Sequence, residues 1–318
     1  MLRIIKKERA LLRMIGAVWS IMLLSLVCAC LLSGCGGGGS QGESSTSGPA
    51  FEAPTTSATA QFSKAVVSGR GAAIDTSSVA DGYVAAEATN SSRLKFQVTK
   101  GDASYNYDMP NDGTPVICPI NMGNGLYTFR VMQNTSGSNY VEILSMDLQV
   151  NITTEFEPFI RPNVFCAYTD QSAVVAQARE LAQGAENEGD VARSIYTWMK
   201  DNIIYDKDKA KKLSSSTGYI PNPDETLSSK TGICFDYASL AAAMFRSLGI
   251  PCKIITGYVA PDDIYHAWNM IYIDGKWESV EITVDPDTWT RIDTTFAATG
   301  ADSEFIGDGS NYTDRYVY

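Results

Sequence analysis

Gly232-Ile233-Cys234-Phe235-Asp236-Tyr237-Ala238 opens a run that continues, rich in Ala and Leu, to Leu248-Gly249-Ile250-Pro251. The run reads as a helix that Gly249 and Pro251 terminate. Cys234 is therefore expected at a helix N-terminus, where unpaired backbone N–H groups and the positive end of the helix dipole favour a thiolate over a thiol. The same N–H groups can face the oxyanion that forms when a thiolate attacks an amide carbonyl. One position serves both tasks.

Downstream, Cys252 to Val259 reads as a strand, and a second strand begins at Tyr265-His266-Ala267-Trp268-Asn269-Met270. Asp274-Gly275 is a hairpin signal, so the chain from Lys276 onward is expected to return antiparallel to the His266 strand, with Trp289 to Phe296 closing the pattern. His266 is the single histidine among 318 residues. A neutral imidazole is the usual base that takes a thiol proton near pH 7, and no other side chain of that kind is present. One imidazole and scattered thiols cannot assemble the usual zinc sets, and no Asp-x-Asp-x-Asp-Gly loop for calcium occurs. No metal and no cofactor are expected. Serine hydrolysis is disfavoured because no Gly-x-Ser-x-Gly elbow occurs.

Three blocks in this order resemble the transglutaminase-like family, a branch of the papain-like cysteine enzymes: Gly232 to Ala238 with Leu248 to Pro251 and Gly257-Tyr258, then His266-Ala267-Trp268, then Trp289 to Phe296 in a Trp-x-x-x-Asp-x-Thr pattern. The resemblance runs from about Asp170 to the end of the chain and implies Cys234 as nucleophile, His266 as base and Asp293 as the carboxylate that orients the imidazole. It extends to exported transglutaminase-like proteins of Gram-positive anaerobes, which place a β domain before the catalytic one. The Trp-x-x-x-Asp pattern has a second version, since Trp277 is followed by Glu281 and Thr283. A simple hairpin about Asp274-Gly275 would set Glu281 nearly opposite Trp268, close to His266, so Glu281 stands as the alternative to the favoured Asp293. No Gln or Trp ahead of Cys234 offers itself as a second oxyanion donor.

Upstream of the cysteine, Val174, Val175, Ala178, Leu181 and Ala182 fall at helical spacing after the candidate caps Asp170 and Ser172. Val191, Ile195, Trp198 and Met199 do the same after Asp190. These stripes read as core. Lys207 to Gly232 reads as a long polar loop bordering the site. From about Ala60 to Thr154, short alternating segments such as Leu94 to Val98, Tyr127 to Val131 and Tyr140 to Leu144 are separated by turn formers, the pattern of an antiparallel β-sandwich-like domain. It gathers no catalytic residue types. Tyr105 and Tyr107 are candidate glycan or peptide contacts, but strand tyrosines more often pack.

The first residues have another character. Arg3, Lys6, Lys7, Arg9 and Arg13 precede an uncharged apolar run from Met14 to Leu32 that ends in Leu32-Ser33-Gly34-Cys35. This reads as a secretion signal cleaved before a cysteine, and it resembles the lipobox of bacterial lipoproteins, which implies lipidation of Cys35. An uncleaved membrane anchor is the alternative. Gly36 to about Thr59 is Gly/Ser/Thr-rich and reads as a flexible tether. The leader carries five basic residues and one acidic, so the chain from Cys35 onward has formal charge −15 against −11 overall. Such an acidic body repels nucleic acid and anionic lipid heads, leaving an acyl anchor to hold it at a membrane. Four cysteines fall in the body, Cys118, Cys166, Cys234 and Cys252, and a bridge between Cys118 and Cys166 is left open.

The expected organisation is a signal peptide over 1–34, a tether over 35–59, an antiparallel β domain over 60–157 and a transglutaminase-like catalytic domain over 158–318, in the α+β class. The expected activity is amide cleavage or exchange through a Cys-His-Asp triad and a thioester, with hydrolysis favoured over crosslinking. The alternative is a catalytically silent surface module that keeps the fold for binding, in which Cys234 is a buried apolar thiol and His266 a satisfied core histidine. A peptide or protein amide substrate, a membrane reached through the lipid anchor, no nucleic acid and a monomeric state are expected. The chain is expected on the cell membrane, facing outward.

Overall fold

Two kinds of burial pattern divide the polypeptide, alternation in the first half and all-round burial of one helix in the second. The computed structural model describes residues 50–214, 216–259, 264–273, 278–279, 282–283, 290–292 and 312–318. The leader with Cys35, most of the tether, Glu281 and Asp293 lie outside the described residues.

The first half forms two four-stranded antiparallel sheets. One holds β1 (Val67–Gly69), β2 (Ala72–Asp75), β3 (Tyr83–Ala88) and, after two strands of the other sheet, β6 (Val116–Pro119); its order is β1-β2-β3-β6. The other has the order β5-β4-β7-β8, from β4 (Leu94–Lys100), β5 (Ala103–Met109), β7 (Gly125–Ser136) and β8 (Asn139–Val150). Alternation decides which side of each strand faces in: Leu94, Phe96 and Val98 are buried while Lys95 and Gln97 between them are not. Opposite them in register stand Val131 and Phe129, equally buried, with the Phe96 and Phe129 rings 6.3 Å apart. Both sheets feed a single apolar cluster that includes Ile74, Val84, Ile120 and Phe129. Stacked sheets over a shared core are what the alternating segments predict.

The helical half begins with α1 (Ala173–Leu181) and α2 (Glu188–Asn202). Val174, Val175, Ala178, Val191, Ile195 and Met199 are fully buried, as their spacing predicts. The second start differs from expectation. Asn187, not Asp190, is the N-cap, its side chain accepting the Asp190 N–H at 3.0 Å.

The stretch expected as a polar loop instead folds as a short parallel pair, β9 (Ile204–Tyr205) with β10 (Thr231–Gly232), enclosing α3 (Lys207–Leu213) and α4 (Pro223–Ser229). Asp206 caps α3 and Asn222 caps α4, each side chain accepting a backbone N–H, and Pro223 occupies the first turn where no N–H is needed. α3 buries no residue and relies on its cap, whereas α4 also buries Pro223 and Leu227.

The central element is α5 (Cys234–Ser247), in which every residue from Asp236 to Ser247 is buried. A helix covered all round must be enclosed by other elements. Tyr237 donates to the Ile203 carbonyl at 2.6 Å, Ser239 to the Phe165 carbonyl at 2.6 Å, and Asn269 to the Ala238 carbonyl at 2.9 Å. Beneath it runs a third sheet of order β15-β12-β11-β16, from β11 (Cys252–Val259), β12 (Ile264–Ile271), β15 (Thr290–Ile292) and β16 (Tyr312–Val317). Gly257 stands opposite His266, and a Cβ there would approach the Trp268 ring to 2.8 Å while also striking the Thr313 carbonyl of β16. Only glycine permits that close approach.

The expected hairpin return is corrected here. Among the described residues, β12 pairs with β11 and β15, whereas β13 (Glu278–Ser279) and β14 (Ile282–Thr283) pair with each other. A two-residue ladder has too few apolar positions to specify docking on the larger sheet. The later Trp289 to Phe296 segment supplies β15, with Ile292 opposite Asn269.

All described residues fall in one compact unit. The two halves meet through rings: Phe165 lies 4.5 Å from Tyr318, 5.2 Å from Phe235 and 5.9 Å from Tyr107. Tyr107 is 1% exposed and Tyr105 packs on Tyr316 and Tyr318, so both are packing residues. Among the described residues no helix is long and apolar enough to cross a membrane.

Candidate active site

The four body cysteines are all free thiols, which closes the question of a Cys118 to Cys166 bridge. They differ in surroundings. Cys118, Cys166 and Cys252 are fully buried, and burial pushes each thiol up, Cys252 to about 12. Thiols raised in this way are poor nucleophiles. Cys234 is half-buried and is the first residue of α5.

Cys234 lines a cavity of about 500 Å³. So does His266, from the middle of β12. His266 is 5% exposed, and its ring lies 6.2 Å from that of Trp268, tilted by 23°. Ala267 lines the cavity as well and also belongs to the apolar cluster that includes α5. Thr256 and Tyr265 of the same sheet join the wall, with the Tyr265 hydroxyl donating to Thr256 at 2.9 Å.

The segment read as a bordering loop does border the cavity, through Ala210 and Leu213 of α3 and through Tyr219 and Ile220 beyond it. From the first half, Asn106 and Asp108 of β5 form part of the wall. The expectation that the β region gathers no site residues missed these two. Nothing in the strand's alternation marks them, because a strand's outward residues are polar wherever they point.

The helix start is held by a buried carboxylate. Asp236, three residues after Ile233, accepts the Ile233 N–H at 2.8 Å, the hydroxyl of Tyr219 at 2.5 Å and the ammonium of Lys209 at 2.7 Å, and it is wholly buried. A carboxylate in the first turn also complements the helix dipole. Burial, the largest single effect, works to lower the Lys209 ammonium, but its bonds and charge interactions with Asp236 and Tyr219 together outweigh it, and the group is raised. Tyr219 is pushed up to about 12, by burial first and then by donation to Asp236. Gly232 is required beneath this network, since a Cβ there would come within 2.6 Å of the Asp236 Cβ. Lys209 and Tyr219 thereby fasten α3 and the segment after it to the turn that bears Cys234.

Tyr205 is the residue that reading the sequence missed. The β9–β10 pair sets it opposite Gly232, two residues before the cysteine, and it lines the cavity. Burial raises its phenol first, and the neighbouring Cys234 and Asp236 raise it further. The signal was present as Ile204-Tyr205 ahead of a capped helix, but the partner strand is only two residues long.

Cys234 and His266 are thus brought to one cavity. Glu281 and Asp293 lie outside the described residues, and Asp293 directly follows the last residue of β15 in sequence. Among the described residues, no group of three or more His, Cys, Asp or Glu side chains is gathered to hold a metal ion.

Comparison with known proteins gives the following. Residues 175–293 match the model of the transglutaminase-like superfamily. The chain is 26% identical over 125 residues to kyphoscoliosis peptidase of Mus musculus, covering 36% of this chain and 18% of that protein, so it spans under a fifth of that relative's length. It is 28% identical over 116 residues to a UPF0252 protein of Archaeoglobus fulgidus, covering 32% of this chain and 37% of the relative. Among solved structures, a candidate cysteine protease of Cytophaga hutchinsonii aligns with TM-score 0.38 and 14% identity over 74% of this chain and 79% of that one. Red sea bream transglutaminase aligns with TM-score 0.31 and 12% identity over 67% and 48%. The antiparallel strands under a buried helix that starts with cysteine, and the match that spans both cysteine and histidine, make residues 175–293 a member of the transglutaminase-like superfamily.

Proposed function

We propose that the chain is a cysteine acyl-transfer enzyme acting on peptide or protein amides, anchored to the outer side of a membrane through lipid on Cys35. The observation that carries this reading is that Cys234, at the first position of α5, and His266, in β12, open onto one cavity. His266 takes the thiol proton, and the Cys234 sulfur adds to the amide carbonyl carbon. The backbone N–H at the helix start and the Tyr205 phenol donate to the resulting oxyanion. His266 returns its proton to the departing amine, leaving a thioester. Water then attacks as His266 takes its proton, and the acid is released as the thiol re-forms. Asp293 is the carboxylate assigned to orient the imidazole, with Glu281 the alternative. Hydrolysis is favoured over transfer to lysine, in keeping with the peptidase name of the mouse relative.

The test is the rate of Cys234 alkylation by iodoacetamide at neutral pH, followed in the tryptic peptide 231–246, which contains no other cysteine. A rate that falls about tenfold or more in His266→Ala is expected, because the imidazole is the base that activates the thiol. A rate unchanged by His266→Ala sinks the acyl-transfer reading and leaves a binding module. The anchor is tested separately, by partition into membranes and lipid incorporation that Cys35→Ser abolishes.

A further inference from the structure

A second cavity, of about 260 Å³, adjoins the first. Val164 and Ile220 line both. Neither is buried, and Ile220 is 40% exposed, so they form a saddle that a bound chain could cross and cover. Beyond the saddle the wall is made of Pro110, Pro115, Val116, Pro162 and Tyr168, drawn from both halves of the molecule. It bears no charged side chain. Prolines make a rigid wall that loses little entropy when a ligand orders against it.

Besides the Tyr168 hydroxyl, which donates to the Ile160 carbonyl at 3.4 Å, one polar side chain stands in this wall. Asn163 is 4% exposed, and its Oδ1 accepts the Phe165 N–H at 2.9 Å and the Cys166 thiol at 3.7 Å. Those donors fix which way the amide is turned, since a flipped Asn163 would set N–H against N–H. Its Nδ2 is then a buried donor with no partner among the described residues. A buried donor left unmet is costly, and a backbone carbonyl passing the wall would satisfy it.

We propose that this second cavity is a specificity subsite for an extended polypeptide substrate: it takes an aliphatic side chain beside the scissile amide, and Asn163 Nδ2 donates to a backbone carbonyl of the same substrate. The proposal rests on the acyl-transfer reading, because continuity with the Cys234 cavity is what assigns the occupant. Backbone carbonyls and an aliphatic side chain a few ångströms apart are the signature of an extended peptide, and a glycan would present neither.

The test uses thiol-directed peptidyl reagents on the full chain in detergent. Bromoacetyl-Gly-Leu-amide is compared with bromoacetyl-Gly-Gly-amide, and leucyl-glycyl chloromethyl ketone with its glycyl-glycyl counterpart, so that both chain directions are sampled. Alkylation of peptide 231–246 is followed, with iodoacetamide as the reference for thiol reactivity. In at least one direction the leucine reagent is expected to react about tenfold faster than the glycine reagent. Ala167→Phe fills the cavity from its exposed rim, and Asn163→Asp keeps the acceptor for the Phe165 N–H while removing the donor. Ala167→Phe is expected to abolish the leucine preference, and Asn163→Asp to slow both peptidyl reagents, with iodoacetamide rates unchanged. Equal leucine and glycine rates in both directions, or a preference that survives Ala167→Phe, overturn the subsite while leaving the acyl-transfer reading intact. A Cys234 that no reagent reaches in the folded chain overturns both.

Discussion

The two ends of α5 each carry a fully buried ionic side chain, and they are held in different ways. At the first turn, Asp236 is engaged by Tyr219 and Lys209 side chains as well as by the Ile233 N–H. At the last turn, Arg246 donates to the backbone carbonyls of Cys252, Arg161 and Tyr318 at 2.8 to 3.0 Å, and to the Cys166 sulfur at 3.1 Å. Acid at the N-terminus and base at the C-terminus both suit the helix dipole. The difference lies in the partners. Backbone carbonyls from three separate segments are fixed by the sheets and turns around them, so the Arg246 end pins the architecture. Side chains from α3 and the segment after it line the cavity wall, so the Asp236 end ties the wall of the site to the turn that carries the nucleophile.

The comparison predicts opposite signatures for changes at the two ends. Arg246→Met should cost the most, about 3 to 5 kcal/mol, because it leaves several buried carbonyls without donors. Urea unfolding monitored by far-ultraviolet circular dichroism measures this. A variant of wild-type stability that has lost only the reactivity of Cys234 would reverse the assignment of the two ends. Tyr205→Phe follows, with a loss of about a hundredfold in turnover and little change in stability, as for other single oxyanion donors. Turnover is measured on whichever peptide amide the wild type cleaves, and an equal rise in KM with unchanged kcat would make Tyr205 a binding residue. Asp236→Asn should destabilise by about 1 to 3 kcal/mol, since an amide cannot accept from three donors at once without turning its own N–H groups against one of them. It should also change the rate at which iodoacetamide reaches Cys234, which a purely architectural aspartate would leave alone.

The same contrast explains how much was legible in the sequence. The start of α5 was legible because an Ala- and Leu-rich run closed by Gly249 and Pro251 defines a helix by itself, and the strand of His266 followed from the residues around it. The alternating segments of the first half were legible for the same local reason. Asp206 ahead of Lys209, and Asn222-Pro223-Asp224-Glu225, are helix-start signals that the polar composition of 207–232 masked. Asp236 was quoted as part of a motif, but its partners lie 17 and 27 positions away, and no local period encodes a tertiary ion pair. The pairing of β12 with β15 instead of the nearer β13 belongs with these, because Asp274-Gly275 specifies a turn and not which strand comes back.

The smallest expected effect is also the one that isolates the latch. Tyr219→Phe removes a donor to Asp236 and should cost about 1 kcal/mol or less, as the ring is partly exposed. Its pH dependence has a definite sign. The phenol is raised in the folded chain from 10.0 to about 12, so the unfolded chain releases that proton first. The contribution of Tyr219 is then whole below about pH 10 and is lost as pH climbs towards about 12. Urea midpoints of wild type and Tyr219→Phe should therefore differ at pH 8 and converge at pH 11. Other raised tyrosines, such as Tyr127 and Tyr318, are common to both proteins and cancel in that difference. A gap that stays constant from pH 8 to pH 11 would mean that the Tyr219 hydroxyl does not donate to Asp236, and the tie between the cavity wall and the helix start would then rest on Lys209 alone.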